Sequence, residues 1–328
     1  MRLLVLGGAG YIGSHFVKES IRRGHSVVVV DNLQTGHADA IDPLATFRRG
    51  DIRNRAFLAE VFSAGAFDAV VHFAANSLVG VSMQEPVAYF DNNVHGTIAV
   101  LEAMKTYGVK MIVFSSSAAV YGAHRVMPIT EEYATVPTNP YGETKLMMEK
   151  MMKWSDAAYG IRYASLRYFN VAGADAGHAI GEDHRPETHL IPNVLLVPLG
   201  KRPGVTIFGN DYATMDGTCV RDYIHVEDLV DAHLRALEHL ASNGSSDIFN
   251  LGSSAGFSNL EIVQAARKVT GHAIPTTFGP RRPGDPDILV ASNAKAFRVL
   301  GWKPTRGLDD MIGSAWEFHR RHPEGYRE

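Results

Sequence analysis

The chain has 328 residues, 45% of them hydrophobic and 20% charged, and its formal net charge at pH 7 is -3. A chain of this length can bury a large core and usually forms one large domain with a smaller companion. The charge balance provides no overall basic field for nucleic acid or an anionic membrane, and a single cysteine, Cys219, excludes an intrachain disulfide. No apolar run approaches the roughly 20 residues of a membrane span. We therefore expect a cytoplasmic protein with no nucleic-acid or membrane partner.

Apolar runs of strand length alternate with helical patterns through the first half of the chain. Most of the runs are continuous rather than alternating, which is typical of parallel strands covered on both faces. The predicted strands lie at 3–6, 27–30, 69–73, 111–114 and 163–166, and the predicted helices lie at 12–23, 56–64, 97–107 and 141–159. This order predicts an α/β fold with a Rossmann-type, doubly wound parallel sheet.

The composition of the sequence changes after Phe169. Loops rich in Gly, Pro, Asp and His run from 173 to 192, and helices are predicted at 193–199 and 226–240. The run from Ile248 to Gly252 resembles the end of another strand. We therefore predict a first domain at 1–168, to which 226–252 returns, and a smaller C-terminal α/β domain at 169–225 and 253–328.

A glycine loop follows the first predicted strand and opens the first predicted helix. Its glycines, at positions 7, 8, 10 and 13, allow backbone N–H groups and the positive end of a helix to approach a pyrophosphate. Asp31 closes the second strand 18 residues after Gly13, close to the roughly 20 residues expected of an acid that binds the ribose of a dinucleotide. Its charge would repel a 2′-phosphate, which favours NAD over NADP. Asp51 follows the third strand, where it could contact the adenine or cap the next helix.

Tyr141 and Lys145 are four residues apart on a predicted helix, so their side chains can reach the same small volume. A tyrosine with a pKa of about 10 is a poor base at neutral pH. Lys145 alone would not lower that pKa enough, but Lys145 together with the positive nicotinamide of NAD could bring it close to neutrality. Ser117 follows the strand at 111–114, where its hydroxyl could hold a substrate alcohol and relay its proton.

At these motifs the chain resembles the extended short-chain dehydrogenase/reductase family, and within it the enzymes that epimerise nucleotide sugars at C4. The resemblance spans nearly the whole chain. Besides the glycine loop it rests on Ser115-Ser116-Ser117, Tyr141-Gly142-x-x-Lys145, Gly217-Thr218-Cys219-Val220-Arg221-Asp222-Tyr223-Ile224-His225-Val226 and Arg281-Arg282-Pro283-Gly284-Asp285. It implies that the first domain binds NAD and that the second binds a UDP-sugar.

The resemblance also implies residue roles. The catalytic residues would be Tyr141, Lys145 and Ser117. The cofactor-binding residues would be Gly7, Gly10, Tyr11, Ile12, Gly13, Asp31, Asn32, Asp51, Ile52, Phe73, Ala74, Ala75, Asn92, Tyr141, Lys145 and Phe169. The substrate-binding residues would be Ser117, Asn170, His189, Leu190, Phe208, Arg221, Tyr223, Arg282 and Asp285. The two arginines suit the diphosphate, and Asp285 suits the uridine ribose.

The implied reaction interconverts UDP-glucose and UDP-galactose. Tyr141 would take the proton of the 4-hydroxyl through Ser117 while hydride leaves C4 for NAD. The resulting 4-keto sugar would turn its other face and receive the hydride back with inverted stereochemistry.

Three alternatives remain open. His189 stands where some relatives have asparagine, and Leu289 stands where some have tyrosine, so the substrate could be another UDP-sugar: an N-acetylhexosamine, a pentose or a uronate. A nucleotide-sugar 4,6-dehydratase needs an acid pair after the serine strand, where this chain has Ala118 and Ala119. A non-enzymatic NAD sensor would have no need for the serine, tyrosine and lysine together.

Two further features lead to expectations. The stretch 175–189 is rich in possible metal ligands, but their spacing matches no helical or paired-ligand pattern, so we expect a substrate loop and no metal site there. The predicted helix at 141–159 is apolar around most of its circumference, which indicates either deep burial or a homodimer interface shared with the helix at 97–107.

Overall fold

The computed structural model describes residues 1–124, 126–282 and 285–326. Within these ranges the strands are β1 (Arg2–Leu6), β2 (Ser26–Asp31), β3 (Thr46–Arg49), β4 (Ala69–His72), β5 (Met111–Ser115), β6 (Arg162–Tyr168), β7 (Asn170–Ala172), β8 (Val205–Phe208), β9 (Val220–Arg221), β10 (Tyr223–His225), β11 (Asp247–Leu251), β12 (Phe257–Ser258), β13 (Thr276–Gly279) and β14 (Ile288–Leu289). The helices are α1 (Tyr11–Arg22), α2 (Arg55–Ser63), α3 (Val79–Ser82), α4 (Pro86–Tyr89), α5 (Gly96–Tyr107), α6 (Pro140–Tyr159), α7 (Leu190–Leu195), α8 (Val226–Ala241), α9 (Asn259–Thr270), α10 (Ala294–Leu300) and α11 (Leu308–Arg321).

Seven of the strands form one parallel sheet in the order β3-β2-β1-β4-β5-β6-β11. The direction in which strands are added reverses between β1 and β4. In a doubly wound sheet a ligand binds at such a reversal, beyond the carboxyl ends of the strands. The predicted Rossmann-type fold class is therefore confirmed, and β11 joins this sheet beside β6.

The core lies on both faces of the sheet because successive side chains of a strand point to opposite faces. In β1, Leu3 and Val5 are fully buried in the cluster that includes α8, whereas Leu4 and Leu6 are fully buried in the cluster that includes α2 and α5. This two-sided burial explains why the strand sequences are continuous apolar runs.

A third apolar cluster joins α7, α9 and α11 beyond the carboxyl edge of the large sheet. Short sheets accompany it, pairing β10 with β7, β13 with β8, and β9 with both β12 and β14. The helix predicted at 193–199 was wrong in its bounds, because α7 begins at Leu190 and ends at Leu195. Pro192 lies in the first helical turn, where a missing backbone N–H costs no hydrogen bond.

The N-terminal end of helix α6 faces the cleft. The Asn139 side chain caps it by accepting a hydrogen bond from Gly142 N at 2.9 Å, Pro140 occupies the first helical position, and Gly160 ends it in the left-handed conformation. Of its apolar residues, Met148 and Met152 are fully buried, whereas Trp154 is 71% exposed. The helix is therefore not buried on all sides. Among the described helices, even this 20-residue one lacks the apolar stretch that a membrane crossing requires.

Candidate active site

A cleft of about 880 Å³ lies where the strands of the large sheet end. Most of the residues predicted from the sequence line it together. They are Gly7, Gly10, Tyr11, Ile12, Gly13, Asp31, Asn32, Ile52, Phe73, Ala74, Ala75, Asn92, Ser117, Tyr141, Lys145, Phe169, Asn170, His189, Arg221 and Asp285. The glycine loop, the helix with the tyrosine and lysine, and the arginine of the C-terminal region therefore face one space.

Three of the four glycines of the loop, Gly7, Gly10 and Gly13, differ in what a side chain would meet at their positions. A Cβ on Gly7, which has a φ of +80°, would meet Ala74 N at 2.5 Å, and a Cβ on Gly13 would meet Gly7 O at 2.1 Å. A Cβ on Gly10 would meet only Gly7 O, at an ordinary 3.5 Å. Gly7 and Gly13 are thus needed for packing, whereas Gly10 keeps the cleft side of the loop open. The first N–H groups of α1 have no intrahelical partner, and its first turn carries no acidic residue, so the loop fits a pyrophosphate.

Asp31 ends β2 and lines the cleft. Its carboxylate accepts hydrogen bonds from Ala9 N at 3.0 Å and Leu33 N at 2.8 Å, and burial raises its pKa. A carboxylate with two such bonds still has free lone pairs for hydroxyl groups.

Asp51 lies just behind this part of the cleft. Its carboxylate binds Arg53 at 2.7 Å and accepts a hydrogen bond from Asn32 at 3.3 Å, and the Arg53 hydrogen bond lowers its pKa to about 2. Asp51 does not line the cleft, whereas Asn32 and Ile52 do, so its contact with the cofactor stays a prediction.

Ser117, Tyr141 and Lys145 come together at the end of β5. The Ser117 Oγ accepts a hydrogen bond from Ala119 N at 3.2 Å and lies near enough to Tyr141 to act on the pKa of its phenol. The Lys145 Nζ lies 5.8 Å from the centroid of the Tyr141 ring and donates to Ser115 O at 2.7 Å. The predicted spacing on one helical face is therefore present in the structure.

Burial changes the pKa values of Tyr141 and Lys145 relative to those of exposed residues. Burial raises the pKa of Tyr141 to about 12, although the Ser117 hydrogen bond opposes the increase, and burial lowers the pKa of Lys145 to about 7, which Glu149 opposes. Without a cofactor, the Tyr141 phenol is therefore less ionised at neutral pH than an exposed tyrosine, so less of it is present as the phenolate that can accept a proton. The ammonium of Lys145 does not offset the effect of burial on the pKa of Tyr141. A second positive charge therefore has to act on the phenol before Tyr141 can serve as a base at neutral pH.

A buried ion pair beneath the site was missed by the sequence interpretation. Glu149 accepts hydrogen bonds from Arg167 at 2.6 and 2.8 Å and from Ser116 Oγ at 2.6 Å, and both charged side chains are nearly inaccessible. The pair ties α6 to β6 and to the end of β5. A signal was present in the sequence, because Glu149 continues the four-residue spacing from Tyr141 through Lys145.

The opposite wall comes from the C-terminal region. Arg221 Nη2 lies 3.3 Å from Asp285 Oδ1, and both residues line the cleft. The Arg282 guanidinium lies 4.5 Å from the centroid of the Phe208 ring, and both side chains are exposed outside the cleft lining. Pro283 and Gly284, which complete the predicted motif, lie outside the described residues.

Two further predicted residues pack into the third apolar cluster instead of lining the cleft. Tyr223 is 6% exposed and is paired in register with Asn170, and Leu190 packs against the same cluster at the start of α7. Their predicted contacts with substrate therefore remain predictions, since their side chains contribute to the core in this structure.

The loop before α7 brings Glu182, His184, Glu187 and His189 together, and all of these except Glu187 line the cleft. Burial opposes a positive charge on the imidazoles, but the two carboxylates outweigh it and raise the pKa of His184 to about 9 and that of His189 to about 10. The Tyr11 ring meets His184 edge-on at 6.3 Å. Linear spacing did not reveal this group because the loop folds irregularly, as part of the cleft wall.

Comparison with known proteins decides the family. The sequence profile of the NAD dependent epimerase/dehydratase family matches residues 3–252. The chain belongs to that family. It is 57% identical to the UDP-glucose 4-epimerase of Lacticaseibacillus casei, over 99% of each chain.

Solved structures of this family have the same fold. A crystal structure of a UDP-glucose 4-epimerase superposes with a TM-score of 0.99 at 55% identity and 100% coverage of both chains. The UDP-glucose 4-epimerase of Bifidobacterium longum in complex with NAD+ and UDP gives a TM-score of 0.93 at 38% identity, covering 99% of this chain and 100% of that one. The predicted membership of the extended short-chain dehydrogenase/reductase family, with NAD as cofactor and epimerisation of a carbohydrate as the class of reaction, is confirmed.

Proposed function

We propose that the chain interconverts UDP-glucose and UDP-galactose by oxidation and re-reduction at the sugar C4, through a 4-keto intermediate. The observation that carries this proposal is the position of Ser117, Tyr141 and Lys145 in one cleft, between the glycine loop and Arg221. It agrees with the names of the relatives, which are UDP-glucose 4-epimerases.

The residues of the chain would act as follows. Ser117 holds the 4-hydroxyl of the sugar and passes its proton to the Tyr141 phenolate, and the same pair returns the proton after the sugar has turned. When bound, NAD supplies the group that accepts the C4 hydride and gives it back, and its oxidised ring supplies a positive charge. Lys145, fixed by Ser115 O, holds its ammonium beside the Tyr141 ring. The ability of Tyr141 to accept a proton at neutral pH therefore depends on whether the bound NAD is oxidised.

The substrate roles at the other wall are part of the proposal. Arg221 provides a guanidinium for the diphosphate, and Asp285 beside it accepts hydrogen bonds from the uridine ribose. Asn170 faces the phosphates, and His189 faces the nucleotide from the loop. Arg282 would add a second guanidinium for the diphosphate, and Phe208, whose ring lies 4.5 Å from that guanidinium, would contact the uracil.

A second candidate activity is the same reaction on an N-acetylated UDP-sugar. Leu289 lines the cleft at the sugar side, and a leucine leaves more room for a C2 substituent than a tyrosine would. Elimination of water from the sugar has no support, because Ala118 and Ala119 line the cleft where a dehydratase needs acidic side chains.

The direct test is incubation with UDP-galactose in the absence of added NAD, followed by separation of the products. We expect UDP-glucose to form with the NAD that copurifies with the protein. Parallel incubations with UDP-N-acetylgalactosamine and UDP-xylose measure the tolerance of the Leu289 side. An unchanged UDP-galactose pool, from protein shown to contain NAD, would contradict the proposal.

We also propose the predicted division into an NAD-binding domain at 1–168 with 226–252 and a UDP-sugar-binding domain at 169–225 and 253–328, of which 125, 283–284 and 327–328 lie outside the described residues. Its support is that β11 pairs with β6 in the large sheet. A cytoplasmic location is proposed because the one cysteine, Cys219, is a buried free thiol.

A homodimer is proposed from the apolar side chains that α5 and α6 leave exposed. Ile98, Met147 and Trp154 are 37%, 40% and 71% exposed. Burying them against the same helices of a second copy would remove this surface from water. Sedimentation at micromolar concentration should show a dimer, whereas a stable monomer would contradict this assembly.

A further inference from the structure

One loop of the cleft wall gathers four side chains that are all potential metal ligands. Glu182, His184, Glu187 and His189 each offer one ligand atom, and these atoms lie within 4.8 Å of one another. Other acidic residues of the same stretch point elsewhere, since Asp175 hydrogen-bonds Ile180 N at 2.7 Å and Asp183 accepts from Tyr326 N at 2.9 Å. The grouping is therefore specific to these four residues.

The distances within the group are close to those of a tetrahedral coordination shell. Glu182 Oε1 lies 3.2 Å from His184 Nδ1 and 2.7 Å from His189 Nδ1. Glu187 Oε1 lies 3.2 Å from His189 Nδ1, and Glu187 Oε2 lies 3.8 Å from His184 Nδ1. Two ligands bound to one zinc ion at about 2.0–2.1 Å are about 3.3–3.4 Å apart. These four separations scatter around this value, and all the ligand atoms lie within 4.8 Å of one another, so the group would contract around the ion to complete the shell.

We propose that Glu182, His184, Glu187 and His189 bind one divalent ion of the zinc type. Two imidazole nitrogens and two carboxylate oxygens form a ligand set that suits zinc, whereas magnesium prefers an all-oxygen octahedral shell. The two carboxylate charges balance the charge of the ion.

Four protein ligands make the site closed, which is typical of a structural ion rather than a catalytic one. The ion would hold the loop at 182–189 as one rigid part of the cleft wall. Coordination through Nδ1 leaves the His189 Nε2 with its proton, so this residue can still donate a hydrogen bond to the nucleotide. Tyr11, which meets the His184 ring edge-on, links the loop to the glycine loop.

The test uses the full chain, treated with a chelator and then titrated with Zn²⁺ alone by calorimetry, with elemental analysis of the bound metal. We expect about one tightly bound zinc ion per chain and no comparable heat with Mg²⁺. His184→Gln and Glu187→Gln should each weaken zinc binding by at least about 100-fold, since each removes a ligand. His272→Gln is the matched control, because His272 is exposed and lies outside the group.

The proposal is overturned if the wild-type chain takes up no stoichiometric zinc, or if both variants bind zinc as the wild type and His272→Gln do. Circular dichroism shows whether each variant is folded. If His184→Gln does not fold, Glu187→Gln and the visible spectrum of the Co²⁺-loaded wild type, which reports tetrahedral coordination, decide the question. This test is independent of the proposed reaction, because metal binding is measured without a sugar nucleotide.

Discussion

The two walls of the cleft are built in different ways. The cofactor wall consists of the glycine loop at 7–13, Asp31 and residues 73–75. The loop and residues 73–75 directly follow strands of the parallel sheet, and Asp31 is the last residue of one. The histidine loop, residues 182–189, lies between β7 and α7 and has no helix or strand of its own. The cofactor wall is therefore fixed by backbone geometry, whereas the histidine loop depends on contacts between side chains.

This difference separates two kinds of functional residue. On the cofactor wall, position along the chain already determines position in space, because the carboxyl ends of parallel strands share one edge. In the histidine loop, four side chains converge through hydrogen bonds and ion pairs that no periodicity specifies. We expect residues on the sheet side of the cleft to carry out the proton and hydride transfer. We expect the histidine loop to affect how tightly the substrate binds.

The largest effect is expected at Tyr141. Tyr141→Phe removes the proton acceptor but preserves the ring, so turnover should fall by about 10²- to 10⁴-fold while NAD and UDP-sugar binding are retained. Steady-state kinetics and NAD content are the measurements. Near-normal turnover would refute Tyr141 as the base.

The matched variant on the other wall is His184→Gln. If the loop only holds the substrate, KM should rise more than kcat falls, in contrast to Tyr141→Phe. A loss of kcat as large as that of Tyr141→Phe, with KM unchanged, would break the distinction between the two walls.

The next effect concerns the ion pair beneath the sheet side of the site. Glu149→Gln leaves Arg167 buried without its counter-charge, so the free energy of unfolding should fall by about 3–5 kcal/mol. Urea unfolding measures it. Glu102→Gln is the control, because its partner Arg55 and Glu102 itself are both about half exposed, and hardly any change is expected there. Equal effects of the two substitutions would show that the buried pair has no special role.

Substitutions in the glycine loop should have smaller effects on stability, but the effects at Gly13 and Gly10 should differ in kind. In Gly13→Ala the new Cβ would collide with Gly7 O, so the protein should lose about 1–3 kcal/mol of stability along with NAD. In Gly10→Ala the Cβ has room and points to the cleft, so stability should be kept while NAD affinity falls. Thermal melts with and without added NAD separate the two outcomes. Equal loss of stability in both variants would contradict the assignment of Gly10 to the ligand side.

The same difference between the sheet side and the loop separates the residues that could be predicted from the sequence from those that could not. The strands, the glycine loop and the Tyr141 and Lys145 pair were predictable, because periodicity and spacing define them. Glu149 was missed because a buried acid looks like any helical acid until its partner, Arg167, is known. The stretch 175–189 was predicted as a substrate loop without a metal site, because the convergence of its side chains depends on tertiary contacts that spacing does not reveal. Tyr223 packs in the core, and its contact with substrate stays a prediction.

The last predicted effect is a pH dependence of stability, which develops gradually over more than two pH units. Burial lowers the pKa of His15, His225 and His233 to about 4 and that of His72 to about 3. Between about pH 6.5 and 4 the unfolded chain takes up protons that the folded chain does not, so this contribution is present above pH 6.5 and is lost as pH falls.

His233→Phe provides the measurement. His233 packs against Phe73 at 4.9 Å, so phenylalanine can replace it, and the slope of unfolding free energy against pH should decrease by at most about 1.4 kcal/mol per pH unit in that window. An unchanged slope would show that His233 is not held neutral in the fold.

The proposed reaction requires that hydride leave C4 of the sugar and return to the same carbon. The most direct measurement is the reaction of UDP-galactose labelled with deuterium at C4, without added NAD, with mass and NMR analysis of the product. The proposed reaction predicts UDP-glucose that retains deuterium at C4. UDP-glucose with solvent hydrogen at C4, or no UDP-glucose from NAD-containing protein, would contradict it.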